Sequence, residues 1–181
     1  ISPDEFSCQN GFISNSTLYM KPKTPIYVTT KIDGENDKEE TQYVTKEAVL
    51  KRGREAIGIP LKDIAKKGRL ATGKGAVGTV IEESWFGYTP NSESEPDFPE
   101  AGVELKVTPY VRGRGGIRAK ERLVCNIINY MEEYDKTFST SAFWHKCNTM
   151  LLMSYEHLEN KPKGDFHIDE AVLFSFPEED L

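Results

Sequence analysis

The sequence predicts an α+β domain, within the broader α/β class, in which helices pack on a mixed β-sheet. Three patterns of apolar residues support this prediction. They recur at helical spacing in residues 74–88, alternate with polar residues in residues 102–110, and run almost continuously in residues 122–131. These patterns are typical of an amphipathic helix, a strand with one buried face and a central strand, respectively. Helices that precede and interrupt a strand-rich middle favour a mixed sheet with helices packed on it.

The first 41 residues are polar and irregular, and we interpret residues 1–41 as an N-terminal extension or linker. Residues 24–30 are compatible with one strand, and residues 33–40 form a charged connection. The chain starts with Ile1 instead of Met, so this part is a fragment, a processed form or partly foreign sequence. Residues 42–181 are predicted to form one domain, because a chain of 181 residues is long enough for one sizeable core.

Three helices are predicted in the first half of this domain. Residues 45–58 have Thr45 as a candidate N-cap and Gly58 as a stop signal, and residues 60–68 have a proline in the first turn and a glycine after the last. The third helix, residues 74–88, has its apolar residues at i, i+3, i+4 and i+8, which makes one stripe. That stripe consists of Val77, Val80, Ile81 and Trp85.

Four strands are predicted in the second half, at residues 102–110, 122–131, 149–158 and 170–176. The glycine-rich, basic residues 111–121 between the first two strands are predicted to be a hairpin connection.

The first of these strands contains two charged residues within an apolar run. Because strand residues alternate faces, Glu104 and Lys106 should lie side by side opposite Val103, Leu105 and Val107. Burying a carboxylate and an ammonium costs several kcal/mol unless they are paired or hold a ligand. With Asp97 close before them, the pattern is compatible with an ion pair on a solvated sheet face or with a metal site that has a catalytic lysine.

The charges of the chain are unevenly distributed. The net charge is −6, which by itself argues against a nucleic-acid partner. However, two stretches are basic: residues 51–74 contain eight basic and two acidic residues, and residues 105–122 contain six basic residues and one acidic residue. Between these stretches, residues 82–104 contain seven acidic residues and no basic residue. Basic flanks would neutralise DNA phosphates and the acidic centre would hold a cation, although solvated loop charges explain the same pattern equally well.

Several function classes are excluded by what the sequence lacks. No apolar run is long enough for a membrane span, and no signal peptide opens the chain, so a membrane partner is not expected. The three widely spaced cysteines match neither a disulfide framework nor a zinc motif, and the three histidines match no zinc motif. These observations predict a cytoplasmic location.

Four sequence blocks closely resemble the MutH-type nucleases, and especially the type II restriction endonucleases of that family that cut at GATC. These blocks are KGAVGTVIEESWFG, PDFPEAGVELKVTP, KERLVCNIINY and TSAFWHK, and they occur in the family's order. The resemblance covers about residues 42–181. It implies a restriction-endonuclease-like core with Mg²⁺ as the cofactor.

The resemblance also implies roles for individual residues. Asp97 and Glu104 would bind the metal, Lys106 would be the catalytic lysine, and Lys146 would be a second active-site lysine. The position of the family's helix acid depends on the direction of counting. Counting forward from Gly78 gives Glu82, and counting back from Trp85 gives Glu83. We prefer Glu82. DNA phosphates would be bound by basic residues that follow the strand, namely Arg112, Arg114, Arg118 and Lys120.

The function that this resemblance implies is Mg²⁺-dependent hydrolysis of double-stranded DNA at GATC, with self-association of the enzyme on DNA left open. The alternatives are a methyl-directed nicking enzyme of mismatch repair and a non-catalytic DNA-binding module of the same fold. In the family, a second lobe that reads the bases follows the region where this chain ends, at Leu181. We therefore expect residues 42–181 to be the catalytic lobe without the DNA-reading lobe.

Overall fold

The computed structural model describes residues 27–31, 39–65, 73, 75–88, 95–177 and 179. Its centre is a four-stranded mixed sheet in the order β4-β3-β5-β6. The strands are β3 (Glu104–Gly113), β4 (Gly116–Ala119), β5 (Thr149–Glu156) and β6 (Glu170–Ser175). A separate antiparallel pair, β1 (Tyr27–Lys31) and β2 (Glu39–Tyr43), precedes the sheet.

The register of the central sheet determines which side chains share a face. β3 and β5 are parallel, with Glu104 opposite Met150 and Lys106 opposite Leu152. β3 and β4 form an antiparallel hairpin, and β5 and β6 are also antiparallel. Glu104 and Lys106 therefore lie next to each other on one face of a central strand.

Short helices surround this sheet. They are α1 (Lys46–Glu55), α2 (Leu61–Ile64), α3 (Ala76–Val80), α4 (Tyr130–Glu133) and α5 (Ala142–Cys147). α1 begins as predicted, since the Thr45 side chain accepts a hydrogen bond from the Ala48 N–H at 3.1 Å. It packs on β5 and β6, where a Cβ added at Gly53 would be 3.0 Å from the Leu151 side chain. α1 is thus closely fixed to the sheet.

The predicted helix 74–88 has two parts. α3 continues directly into a π-helical segment, Ile81–Phe86, which ends at Gly87 with φ +84°. The apolar stripe faces the core as predicted: Val77, Val80 and Ile81 are buried and Trp85 packs against them. π-helical turns are rare and occur often at functional sites.

The hydrophobic core lies between these helices and one face of the sheet. Val103 and Leu105 are buried there and Val107 packs against them, which confirms the predicted alternation in β3. An edge-to-face aromatic cluster fills the region beside the start of β3 and consists of Tyr43, Phe86, Tyr88 and Phe98.

The prediction of a central strand at residues 122–131 is wrong. Residues 122–129 have no regular secondary structure, and Ile127 and Tyr130 are 86% and 79% exposed. The β3–β4 pairing stops near Pro109, whose carbonyl accepts from the Lys120 N–H but which has no N–H to donate in return. Past that point the strand pairing cannot continue regularly, and the apolar segment leaves the sheet.

The other predicted elements are largely confirmed. The predicted strands at 102–110, 149–158 and 170–176 correspond to β3, β5 and β6, and the predicted hairpin connection contains β4. α2 covers the start of the predicted helix 60–68, whose last residues lie outside the described part of the chain, as do residues 1–26 and 32–38. β2 was not predicted. Among the described helices, none has the length and apolarity to cross a membrane.

Candidate active site

A tight turn brings the two candidate metal ligands together. The Phe98 N–H donates to the Val103 carbonyl at 2.9 Å and the Val103 N–H donates back at 3.2 Å. Gly102 adopts φ +61° within this turn, a conformation that favours glycine. The chain therefore reverses direction and places Asp97 beside Glu104 at the start of β3.

Main-chain hydrogen bonds hold both carboxylates in place. The Leu105 N–H donates to Asp97 Oδ2 at 2.9 Å, and the Asp97 N–H donates to Glu104 Oε2 at 3.2 Å. The two acids thus fix each other through the backbone, and Phe98 anchors the turn because it is fully buried. This bracing reduces the freedom of both side chains before any ligand binds.

Two lysines converge on the other oxygen of Glu104. Lys106 Nζ donates to Glu104 Oε1 at 2.8 Å, and Lys146 Nζ lies 3.8 Å from the same oxygen. The side chains of Lys106, Lys146 and Glu104 are only 17%, 14% and 4% exposed. The acid and lysine of β3 do form an ion pair, but it is buried and not on a solvated sheet face.

The second lysine of the cluster, Lys146, belongs to α5. Its N-terminus is capped by Ser141, whose Oγ accepts from the Trp144 N–H at 3.1 Å. Cys147, which follows Lys146 in the chain, is buried, and its thiol donates to the Cys125 carbonyl at 3.3 Å. Burial raises the pKa of the Cys147 thiol to about 11, so it stays a neutral packing group, as expected for a buried cysteine.

The buried charges shift each other's pKa. Burial raises the pKa of Glu104, the Asp97 charge raises it further, and the two lysines oppose this rise without cancelling it. Burial acts to lower the pKa of Lys106, but the hydrogen bond and charge of Glu104 outweigh burial and raise it. Lys106 is therefore an ammonium at neutral pH, and burial makes the negative charge of Glu104 costly.

Of the two glutamates near the start of the π-helical segment, Glu82 is half-buried and is influenced by the charges of the site. Burial raises the pKa of Glu82, and the charge of Asp97 adds to this effect, while Lys106 and Lys146 oppose it. Glu83 is exposed. Burial and the charges that act on Glu82 distinguish it from Glu83, and its role as the helix acid stays a prediction.

Asp97 and Glu104 are the side chains that could hold a divalent cation, with Glu82 at the edge. Within the part of the chain that the structure describes, no three His, Cys, Asp or Glu side chains form a metal-binding group. Mg²⁺ does not require one, because it keeps several waters and is held by one or two carboxylates plus substrate phosphates. The pair fits such a site, since a cation would relieve the repulsion that helps to raise the pKa of Glu104.

The four predicted phosphate-binding residues lie on or just after the β3–β4 hairpin. All four are exposed. Arg112 already has protein partners, since its Nε donates to Glu156 at 3.1 Å and its Nη2 to the Tyr110 hydroxyl at 3.2 Å. Arg114 is in the turn, Arg118 is in β4 and Lys120 follows it. The hairpin therefore presents basic side chains to solvent, and phosphate binding stays a prediction.

One set of contacts near the site was not predicted from the sequence. Trp85 was predicted only to pack in the core. Its side chain also bonds the backbone of Arg52 in α1, and the Arg52 side chain bonds the backbone of Trp85. Arg52 was recognised only as one of eight basic residues in residues 51–74. No local pattern links two positions 33 residues apart, so only the tertiary structure reveals this pair.

Comparisons with known proteins agree with this geometry. The family model described as DNA mismatch repair enzyme MutH matches residues 86–181, which is more than half of the chain. The type II restriction enzyme Sau3AI of Staphylococcus aureus is 42% identical over 133 residues, covering 73% of this chain and 27% of that enzyme. The DNA mismatch repair protein MutH of Shewanella woodyi is 27% identical, covering 76% and 60%, and that of Serratia proteamaculans is 28% identical, covering 70% and 57%.

The fold is thus an α+β fold with a mixed four-stranded sheet and flanking helices, in agreement with a restriction-endonuclease-like core. The chain belongs to the MutH family. It spans about a quarter of the restriction enzyme and about three fifths of the mismatch-repair proteins that it matches.

Replacing Glu82 with glutamine should raise the melting temperature of the metal-free protein at pH 7.5. The pKa of Glu82 is raised in the folded state, so its ionised form opposes folding above that pKa, and the penalty disappears as the pH falls through it. The advantage of Glu82→Gln should therefore shrink towards pH 4. Thermal unfolding in EDTA across this pH range measures the effect.

The neighbouring exposed Glu83→Gln is the matched control and should change the melting temperature little. A lower melting temperature for Glu82→Gln than for the wild type at pH 7.5 in EDTA would contradict the account of Glu82 as a repelled, half-buried acid.

Proposed function

We propose that this chain carries the cutting centre of a Mg²⁺-dependent type II restriction endonuclease that hydrolyses double-stranded DNA at GATC. The observation that carries the proposal is the convergence of Asp97, Glu104, Lys106 and Lys146 at the start of β3. Two acids and two lysines within one buried cluster are costly to maintain unless they serve a charged ligand. Family membership supports the same reading.

The residues of this cluster would have different roles in the reaction. A bound Mg²⁺ supplies charge neutralisation at the scissile phosphate and lowers the pKa of a bound water. Asp97 and Glu104 would hold the cation through the oxygens that their backbone bonds orient. Lys106, kept protonated, can donate hydrogen bonds to the attacking water or to a phosphate oxygen.

Lys146 belongs to α5, and its Nζ lies 3.8 Å from Glu104 Oε1. An ammonium there is placed to stabilise the negative charge that develops on the phosphate in the transition state. Both lysines now lie near Glu104 Oε1. Lys106 donates a hydrogen bond to this oxygen, so it would share Glu104 with a bound cation.

The degree of similarity favours restriction over mismatch repair. The chain is 42% identical to the restriction enzyme but only 27–28% identical to the mismatch-repair proteins. The complete set of acids and lysines argues against a non-catalytic DNA-binding module. We further propose that residues 42–181 supply the cutting chemistry, that the exposed hairpin binds phosphates, and that base reading lies outside these residues.

Plasmid cleavage by the full-length protein tests this proposal. With Mg²⁺, a supercoiled plasmid containing GATC sites should become linear and then fragmented, and EDTA should stop all cleavage. Accumulation of nicked circles alone would favour the mismatch-repair alternative. The absence of any cleavage under conditions in which the protein binds DNA would favour the non-catalytic module and overturn the proposal.

A further inference from the structure

Arg52 of α1 and Trp85 of the π-helical segment are joined by three contacts. The Trp85 indole N–H donates to the Arg52 carbonyl at 2.9 Å, and Arg52 Nη2 donates to the Trp85 carbonyl at 3.0 Å. The guanidinium carbon also lies 3.8 Å from the centre of the indole ring, which is a cation–π distance. Each residue thus bonds the backbone of the other, and we call the pair the Arg52–Trp85 clamp.

The clamp links the segment that carries Glu82 to a helix that the sheet holds in place. Trp85 lies three residues after Glu82, whose carbonyl accepts the Gly87 N–H that closes the π-helical turn and also the Tyr88 N–H at 2.9 Å. Arg52 immediately precedes Gly53, the residue at which α1 closely approaches β5. The clamp therefore adds to the core packing of Ile81 and Phe86 in fixing the segment that carries Glu82.

Glu82 needs such support more than the other acids of the site do. Asp97 and Glu104 are held by hydrogen bonds within the β3 frame itself. Glu82 belongs to a separate element, a single π-helical turn, where the charges of Asp97 and Lys106 act on it. Such turns are rare. Without the clamp, the segment would lose its two side-chain-to-backbone bonds to α1.

From these contacts we infer that Arg52 and Trp85 are positioning residues that hold Glu82 towards Asp97 and Lys106 and so set the Mg²⁺ concentration needed for cleavage. The inference rests on the proposed function. Outer residues that orient the groups around a metal typically change its affinity 10- to 100-fold when they are lost. The clamp lies one step further out than such residues, because in the described structure it holds the segment that carries Glu82 and bonds none of the acids of the site.

The test measures single-turnover cleavage of a duplex with one GATC site as a function of Mg²⁺, using the full-length protein. Arg52→Met should raise the half-saturating Mg²⁺ concentration by about tenfold, with most of the maximal rate restored at high Mg²⁺. Trp85→Phe keeps the ring under the guanidinium and removes only the indole N–H, so it should fold and show a smaller shift in the same direction. Glu47→Gln, an exposed position on the same helix, is the control and should show no shift.

A second comparison separates positioning from general stabilisation. If the clamp acts through Glu82, then Glu82→Gln should itself raise the Mg²⁺ requirement, and adding Arg52→Met should shift it little further. A role in stability alone would lower the melting temperature and leave the half-saturating Mg²⁺ concentration unchanged.

Three results would overturn the inference: an unchanged Mg²⁺ requirement in both Arg52→Met and Trp85→Phe, an unchanged requirement in Glu82→Gln, or fully additive shifts in the double variant. If Arg52→Met does not fold, the shift of Trp85→Phe decides. Failure of the proposed function has a different signature, because the wild type itself would then show no Mg²⁺-dependent cleavage.

Discussion

Replacing Glu104 with glutamine will reduce the rate of DNA cleavage by at least about 10³-fold while leaving the fold intact. A metal's stabilisation of transition-state charge is worth several kcal/mol, and each 1.36 kcal/mol is a factor of ten in rate. Glutamine keeps the size of the side chain and can still accept from the Asp97 N–H, but it removes the charge that Lys106 and Lys146 surround. Single-turnover cleavage at saturating Mg²⁺ measures the loss.

The matched control is Glu100→Gln, which removes an exposed acid from the turn that joins Asp97 to Glu104. It should cleave at close to the wild-type rate, and circular dichroism should show the same fold for both variants. Asp97→Asn should lose activity as severely as Glu104→Gln. If either site variant cleaves within tenfold of the wild type, Asp97 and Glu104 are not the metal-binding pair.

The second large effect concerns salt. Binding of this chain to duplex DNA should weaken by about 10²-fold between 50 and 200 mM salt, because each of up to four phosphate contacts adds about 0.9 to the slope of log affinity against log salt. The hairpin side chains that would make these contacts are exposed. Phosphate contacts carry no base information, so GATC and scrambled duplexes should bind about equally.

Fluorescence anisotropy at several salt concentrations measures both quantities. Replacing Arg114 and Arg118 with alanine should reduce the slope by about two, whereas Lys62→Ala, whose side chain pairs with Asp165 at 2.8 Å, should leave it unchanged. A strong preference of this chain for GATC would show that base-reading residues lie within it, and the division into cutting and reading parts would have to be abandoned.

Strand alternation was enough to predict the pairing of Glu104 with Lys106, since a period of two leaves no other arrangement within β3. The approach of Asp97 could not be derived this way, because it depends on the reversal at Gly102 and on the burial of Phe98. The family resemblance supplied Asp97, Glu82 and Lys146 instead. The structure then gave what the resemblance did not, namely which backbone groups hold each carboxylate.

The failures also have physical causes. The apolar run at residues 122–131 has the composition of a central strand, but Pro109 interrupts the pairing that would have extended the sheet. The edge of β3 near its start is also engaged, because the Leu105 N–H bonds the Asp97 side chain instead of another strand. The π-helical form of Ile81–Phe86 has no sequence signature, since its apolar stripe also fits an α-helix.

The central claim is that Asp97 and Glu104 together hold the cation. Mn²⁺ has a similar preference for carboxylate and water oxygens, so it can stand in for Mg²⁺. Electron paramagnetic resonance measures free Mn²⁺ while the ion is titrated into a mixture of the chain and duplex DNA. The wild type should remove Mn²⁺ from solution and release it when Mg²⁺ is added, whereas the double variant Asp97→Asn/Glu104→Gln should bind neither ion at this site. Equal Mn²⁺ binding by the wild type and the double variant would contradict the claim.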